Sequence, residues 1–173
     1  MHQFLVILRG TPASGKSTIA KSFRDFSEKI VWLKVDNFKD FFADNSSLAL
    51  EYVNGSAVAT LDYLLDQGFS VVMDGVFQDT KAIDKALAMA REKHIFASVY
   101  QTSCSLSVLQ KRDLERPGVP EGIRKPLGKS LIAGIHQKLV DNPYPGIQVL
   151  DTENQTLDQC IEVIRNDIMQ KKF

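Results

Sequence analysis

Cysteine is scarce in this chain. Only Cys104 and Cys160 occur among 173 residues, far apart and without metal-ligand spacing, which excludes a disulfide scaffold or a cysteine-based zinc site. Two reduced thiols in a cytoplasmic protein are the expectation. Net charge is absent as well: Lys+Arg and Asp+Glu both number 21. Bulk charge therefore does not call for nucleic acid, although a local basic patch would still permit a nucleic-acid acceptor. No apolar run approaches the roughly 20 residues that span a bilayer, so no membrane partner is expected. The opening MHQFLVILRG lacks a basic leader region and runs directly into a glycine loop. It reads as a first strand and not as a signal peptide. Repeats, low-complexity tracts and linkers are also missing, which leaves one domain over residues 1–173. Composition alone is silent on oligomeric state.

What is present is alternation. A continuous apolar run at Phe4–Leu8 predicts a strand buried on both faces, and Ile30–Val35, Phe69–Met73, Ile95–Tyr100 and Ile147–Leu150 predict four more strands. Between them lie helical patterns at Lys16–Ser27, Phe38–Phe42, Leu48–Gln67, Thr80–Lys93, Leu106–Arg116, Leu127–Val140 and Thr156–Gln170. Gly68 stops the third of these, Thr80 is placed to cap the fourth, and Thr156 with Gln159 has capping-box spacing. Residues 117–126 hold three prolines and two glycines and predict a loop. Strand and helix alternating five times argue for an α/β fold with a five-stranded parallel sheet sandwiched by helices. Ligands of such sheets sit beyond the carboxyl ends of the strands.

The first strand ends in Gly10-Thr11-Pro12-Ala13-Ser14-Gly15-Lys16-Ser17, followed by Thr18. This fits G-x-x-x-x-G-K-[ST], and it has the strand-before, helix-after context that the motif requires. Its glycines let the backbone approach phosphate oxygens, and successive amides plus the helix start face the anion. Lys16 supplies a cation for the β- and γ-phosphates, and the Ser17 hydroxyl can ligate Mg²⁺. A nucleoside triphosphate held with magnesium is the expected ligand, within a P-loop NTPase fold.

Other strand ends carry chemistry too. Asp36 ends the second strand, where a kinase needs a carboxylate to accept the proton of an attacking hydroxyl. It also fits as a cap of the 38–42 segment. Lys39, three residues on, could hold an anionic group of the acceptor. Asp74 ends the third strand, and could hold Mg²⁺ or bind the acceptor. Arg112 and Arg116 share one face of a charged helix before the Pro-rich loop. They suit a lid, about residues 104–126, that brings a guanidinium to the phosphates, with Arg124 a further candidate; a solvated helix face is the plainer meaning. His94 and His136 suit ordinary surface or core roles. Phe38, Phe41, Phe42 and Tyr52 could line an acceptor pocket, though core packing explains them as well. Tyr100-Gln101-Thr102-Ser103-Cys104 stands where a guanine-reading N-K-x-D would be needed, so GTP specificity lacks support.

In this order the residues resemble the small P-loop kinases, and within them the group holding polynucleotide 5'-hydroxyl kinases, zeta-type toxins and chloramphenicol phosphotransferase. The resemblance spans nearly the whole chain, and implies an ATP-dependent kinase with a hydroxyl acceptor. It implies Asp36 as general base, Arg116 as the lid arginine at the phosphates and Arg112 stacked on adenine. The C-terminal third is also similar to adenylylsulfate kinase: Asn142-Pro143-Tyr144-Pro145, then Val149 to Thr156, resemble its nucleotide-side loop, with Thr152 at the nucleotide. Asp36-Asn37-Phe38-Lys39 resembles its D-N-x-R, with Lys39 in place of the arginine, and Asp74-Gly75-Val76-Phe77-Gln78-Asp79 replaces its arginine- and aromatic-rich segment. The competing class is a nucleotide switch or binding module that transfers to no acceptor.

Overall fold

The computed structural model describes residues 2–42, 47–116 and 125–170, with residues 47–49 described by their backbone alone. Most of the Pro-rich loop, residues 117–124, and with it Arg124, lies outside the described residues. Among those described, five strands form one parallel sheet: β1 (Phe4–Arg9), β2 (Ile30–Lys34), β3 (Ser70–Gly75), β4 (Phe96–Ser103) and β5 (Gln148–Asp151). Their spatial order is β2-β3-β1-β4-β5. Thus β1 is central, with Val6 beside Val72 on one side and Ser98 on the other.

Among the described residues five α-helices connect the strands, α1 (Lys16–Phe23), α2 (Ser47–Asp66), α3 (Lys81–Glu92), α4 (Leu106–Leu114) and α5 (Lys129–Asp141), and α6 (Leu157–Gln170) follows β5. Alternate residues of β1 feed opposite cores, because side chains of a strand point to opposite faces. Leu5 and Ile7 pack with Val53, Leu61 and Ile83 from α2 and α3. Phe4, Val6 and Leu8 pack with Ile19, Phe23 and Ile164 from α1 and α6. Every residue of β1 is buried, which accounts for its unbroken apolar run. A small third cluster, Cys104, Leu109 and Ile132, joins α4 to α5.

Local signals act where the sequence put them, with two exceptions. Gly68 adopts φ +78° after α2, and the amides of Gly68 and Phe69 close onto Leu65 and Leu64. Gln159 Oε1 accepts the Thr156 amide at 2.8 Å while Thr156 Oγ1 accepts the Gln159 amide at 3.2 Å, a reciprocal capping box. Thr80 stands at the start of α3 but its side chain makes no cap bond. Asp79 Oδ1 takes the Lys81 amide instead, at 3.0 Å. The predicted 38–42 helix is a seven-residue 3-10 helix, Val35–Phe41, so Asp36 lies inside it and not before it. Phe38 and Phe42 pack against the first core and Phe41 is 81% exposed. None of these three, nor Tyr52, lines the cleft described below.

Candidate active site

The P-loop is shaped by close approach. A Cβ on Gly10 would fall 2.3 Å from Thr102 Oγ1, so only glycine fits beneath the loop. Ala13 (φ +69°) and Gly15 (φ +91°) are left-handed, a backbone arrangement that turns successive amides toward one concavity. Helix α1 starts directly after Gly15 with no side-chain cap and no acid in its first turn. Its first amides therefore aim outward, as an anion site requires. Ser14 Oγ and Thr102 Oγ1 lie 2.5 Å apart, tying the loop to β4.

Lys16 is 7% exposed and its Nζ donates to the Thr11 carbonyl at 2.8 Å. Burial pulls its pKa down to about 8, against the opposing pull of Asp74 and then Asp36, while the Arg116 charge lowers it further. These four side chains thus share one electrostatic neighbourhood. Asp74, paired in register with Leu8 and Lys34, is 2% exposed. Its Oδ2 accepts the Trp32 indole N–H at 2.9 Å. Burial raises the Asp74 pKa, and Lys16 together with hydrogen bonds from Trp32 and Ser17 draws it back. A serine hydroxyl against a buried carboxylate is an oxygen donor set of the kind that Mg²⁺ takes, so Ser17 and Asp74 fit the ion. Among the described residues no group of three or more His, Cys, Asp or Glu side chains forms a metal site; a magnesium site of two protein oxygens completed by phosphates and water needs no such group.

Asp36 and Lys39 form an ion pair across one turn of the 3-10 helix. Lys39 is therefore engaged with Asp36 in this state. Arg112 reaches across to β5: its two terminal nitrogens donate to the Thr152 carbonyl at 2.7 Å and hydroxyl at 3.4 Å. Thr152 Oγ1 in turn donates to the Ser14 carbonyl at 3.0 Å, and its methyl lies against Gly15. Arg112, Thr152 and the P-loop are thereby one assembly. Arg116 Nε lies 3.3 Å from Asp113 Oδ1.

These residues line a cleft of about 1640 Å³. Pro12, Ala13, Gly15, Lys16, Ser17 and Thr18 form its floor, and Asp36, Lys39, Asp74, Arg112, Arg116 and Thr152 stand around it. Gly10, Thr11 and Ser14, also expected at the nucleotide, are buried and do not line it. The far half, beyond Asp36, is walled by α2 and by the loop after β3, including Val53, Asn54, Phe77 and Gln78. Phe77 has φ +49°, and its ring leaves no room for a Cβ on Gly75.

Three residues near the site carry no sequence motif. Arg9, fully buried, donates to the carbonyls of Phe77 at 3.2 Å and Asn142 at 2.6 Å and to Gln101 Oε1 at 2.8 Å; among the described residues it has no carboxylate partner. His136 Nδ1 lies 3.3 Å from Thr11 Oγ1, so it touches the P-loop where an ordinary role was expected. Asp113 is 1% exposed, and Oδ2 accepts the amides of Leu127 and Gly128, both at 2.9 Å. The one available signal for Arg9 was an arginine inside an otherwise apolar strand. Nothing in the local sequence of His136 or Asp113 marked them.

Solved structures share this architecture. A sugar kinase from Janibacter sp. superposes with TM-score 0.69 at 18% identity, over 96% of this chain and 95% of the other. The APS kinase CysC of Mycobacterium tuberculosis gives 0.62 at 16%, over 98% and 99%. A chain of the Pnkp1/Rnl/Hen1 RNA repair complex gives 0.63 at 25%, over 82% of this chain but 46% of its own length. No curated protein shows a significant sequence match. The fold is that of the P-loop kinases. The sequence profile of the zeta toxin family matches residues 2–168, nearly the full length, and the chain belongs to that family.

Proposed function

We propose that this protein is an ATP-dependent kinase that moves the γ-phosphate of ATP to a hydroxyl of a small-molecule or nucleotide acceptor. One observation carries the reading: the Lys16 ammonium sits in the combined field of Asp74, Asp36 and Arg116, at the mouth of a phosphate-binding loop. A module that only binds nucleotide has no use for Asp36 beside that loop. Structural neighbours that are a sugar kinase and an APS kinase agree with it in kind.

The acceptor hydroxyl oxygen forms a bond to the γ-phosphorus as the bond from that phosphorus to the bridging oxygen breaks. Asp36 accepts the hydroxyl proton, and ADP leaves. For Asp36 to act, its pairing with Lys39 must give way or Lys39 must turn to an anionic part of the acceptor. Lys16 and Arg116 face the negative charge that spreads over the transferring oxygens. Ser17 and Asp74 would hold Mg²⁺, which would supply charge neutralisation at the transferring phosphate. Arg112, fixed by Thr152, forms the nucleotide-side wall and stacks on adenine. The acceptor enters from the α2 side. Among the described residues no helix is long and apolar enough to cross a membrane, and the reading places the enzyme in the cytoplasm, where ATP is abundant.

The test is ADP release from ATP, and from GTP in parallel, with and without a panel: gluconate, a nucleoside, a 5'-hydroxyl oligonucleotide and adenylylsulfate. Acceptor-stimulated release is expected, and Asp36→Asn should cut kcat by roughly 10² to 10⁴ with ATP binding retained. If Asp36→Asn instead chiefly raised the KM for ATP, Asp36 would be a magnesium or structural residue. If no acceptor stimulated release and Asp36→Asn hydrolysed ATP at the wild-type rate, the nucleotide-switch reading would replace the kinase.

A further inference from the structure

Asp113 is a charge with almost no water. It is 1% exposed, in the last turn of α4. Its Oδ2 is committed to the Leu127 and Gly128 amides, both at 2.9 Å. Its Oδ1 is buried without an ordinary hydrogen bond, yet lies 3.3 Å from Arg116 Nε. Arg116 is the one cation paired with it among the described residues. A buried carboxylate is costly unless a counter-charge and hydrogen bonds compensate it. The two amides and the one guanidinium supply that compensation, so the site is built and not incidental.

The guanidinium is held by one edge. Arginine presents Nε and two terminal nitrogens in a rigid planar fork. Asp113 faces Nε, and the terminal nitrogens make no hydrogen bond or ion pair with any described residue. The Arg116 charge is felt at Lys16, so the group that Asp113 grips also bears on the P-loop. We propose that Asp113 is a positioning residue that clamps Arg116 by Nε and presents its two terminal nitrogens to the transferring phosphate. The inference rests on the phosphate role of Arg116 proposed above.

Asp113→Asn separates this role from a structural one. Asparagine keeps a carbonyl oxygen for the Leu127 and Gly128 amides and loses the charge opposite Arg116. The assay is ADP release from MgATP with water as the acceptor, which needs no identified substrate. We expect kcat to fall about ten- to a hundredfold, as for other residues that orient a working group. The KM for ATP should hardly move, while the unfolding temperature should fall, because the new amide donor meets the Arg116 Nε–H donor in a buried site. The decisive comparison is Arg116→Ala against Asp113→Asn/Arg116→Ala. The double variant should be no slower than Arg116→Ala, because a positioner has nothing left to position. Losses that multiply would overturn the proposal, as would wild-type kcat in Asp113→Asn beside a slow Arg116→Ala. Wild-type turnover in Arg116→Ala would instead remove Arg116 from the chemistry and take this inference with it. Should Asp113→Asn fail to fold, NMR of the wild-type protein decides. The Arg116 Nε–H should give a distinct, slowly exchanging resonance without nucleotide, and a solvent-averaged signal would overturn the clamp.

Discussion

Replacing Lys16 with methionine should stop phosphotransfer and, without nucleotide, make the protein more stable. In the free protein the ammonium is 7% exposed and its pKa is pulled from 10.5 to about 8 by burial. Keeping that charge at pH 7 costs about 3 kcal/mol, from 1.36 kcal/mol per pKa unit. Methionine removes the cost and forfeits the bond to the Thr11 carbonyl, worth about 1.5 kcal/mol for a charged donor. The balance favours the variant by about 1–2 kcal/mol, which for a chain of this size is an upward shift of about 2–8 °C in Tm. The sign with pH follows from proton binding. Between about pH 8 and 10.5 the unfolded chain keeps the Lys16 proton and the folded chain sheds it, so wild-type stability rises with pH relative to the variant. The gap should narrow over that window. Binding an ATP analogue should raise Tm in the wild type and much less in the variant. Calorimetry at pH 7, 8, 9 and 10, with and without analogue, reads all of this. A variant less stable than wild type at pH 7, or a gap that widens with pH, would refute the argument that Lys16 is held at a cost for its ligand.

Gly10→Ala should lower unfolding stability by about 1–3 kcal/mol or more and weaken ATP binding, since its Cβ would meet Thr102 Oγ1 at 2.3 Å; chemical denaturation and calorimetric titration measure both. Arg112→Ala should raise the KM for ATP about ten- to a hundredfold, the value of one charge-assisted contact, with kcat much less affected; equal losses in kcat would move Arg112 from nucleotide binding to the reaction itself. Above about pH 8, where Lys16 loses its proton, affinity for ATP should fall in the wild type and stay flat in Lys16→Met, as read by titration across that range.

Legibility in the sequence tracked sequence distance. The strands, the P-loop and the acids near two strand ends are local patterns, and the structure gathers Lys16, Asp36, Asp74, Arg112, Arg116 and Thr152 around one cleft. The Thr156 and Gln159 box spans three residues and was visible for the same reason. Asp113 depends on amides 14 and 15 residues away, across a loop. His136 meets Thr11 over a separation of 125 residues. No local pattern encodes such meetings. Asp36 fell inside a 3-10 helix because β2 ends at Lys34, one residue sooner than its apolar pattern suggested, and the helix starts at Val35. The aromatic cluster after β2 was ambiguous in sequence, since a hydrophobic ring serves a pocket or a core equally well. Packing settled it for Phe38 and Phe42.

Arg9 bears on how the molecule comes into being. The residue is made well before its three acceptors, which belong to residues 77, 101 and 142. Until those exist, a guanidinium bound for the interior has only water to hold it, and the central strand has neither neighbour. At roughly 5–20 residues per second, the 133 residues between Arg9 and Asn142 take about 7 to 27 seconds to make. The nucleotide loop that follows Arg9 has its footing only after that interval. Competence to hold a nucleotide is therefore a later property of the growing chain than the making of the loop itself.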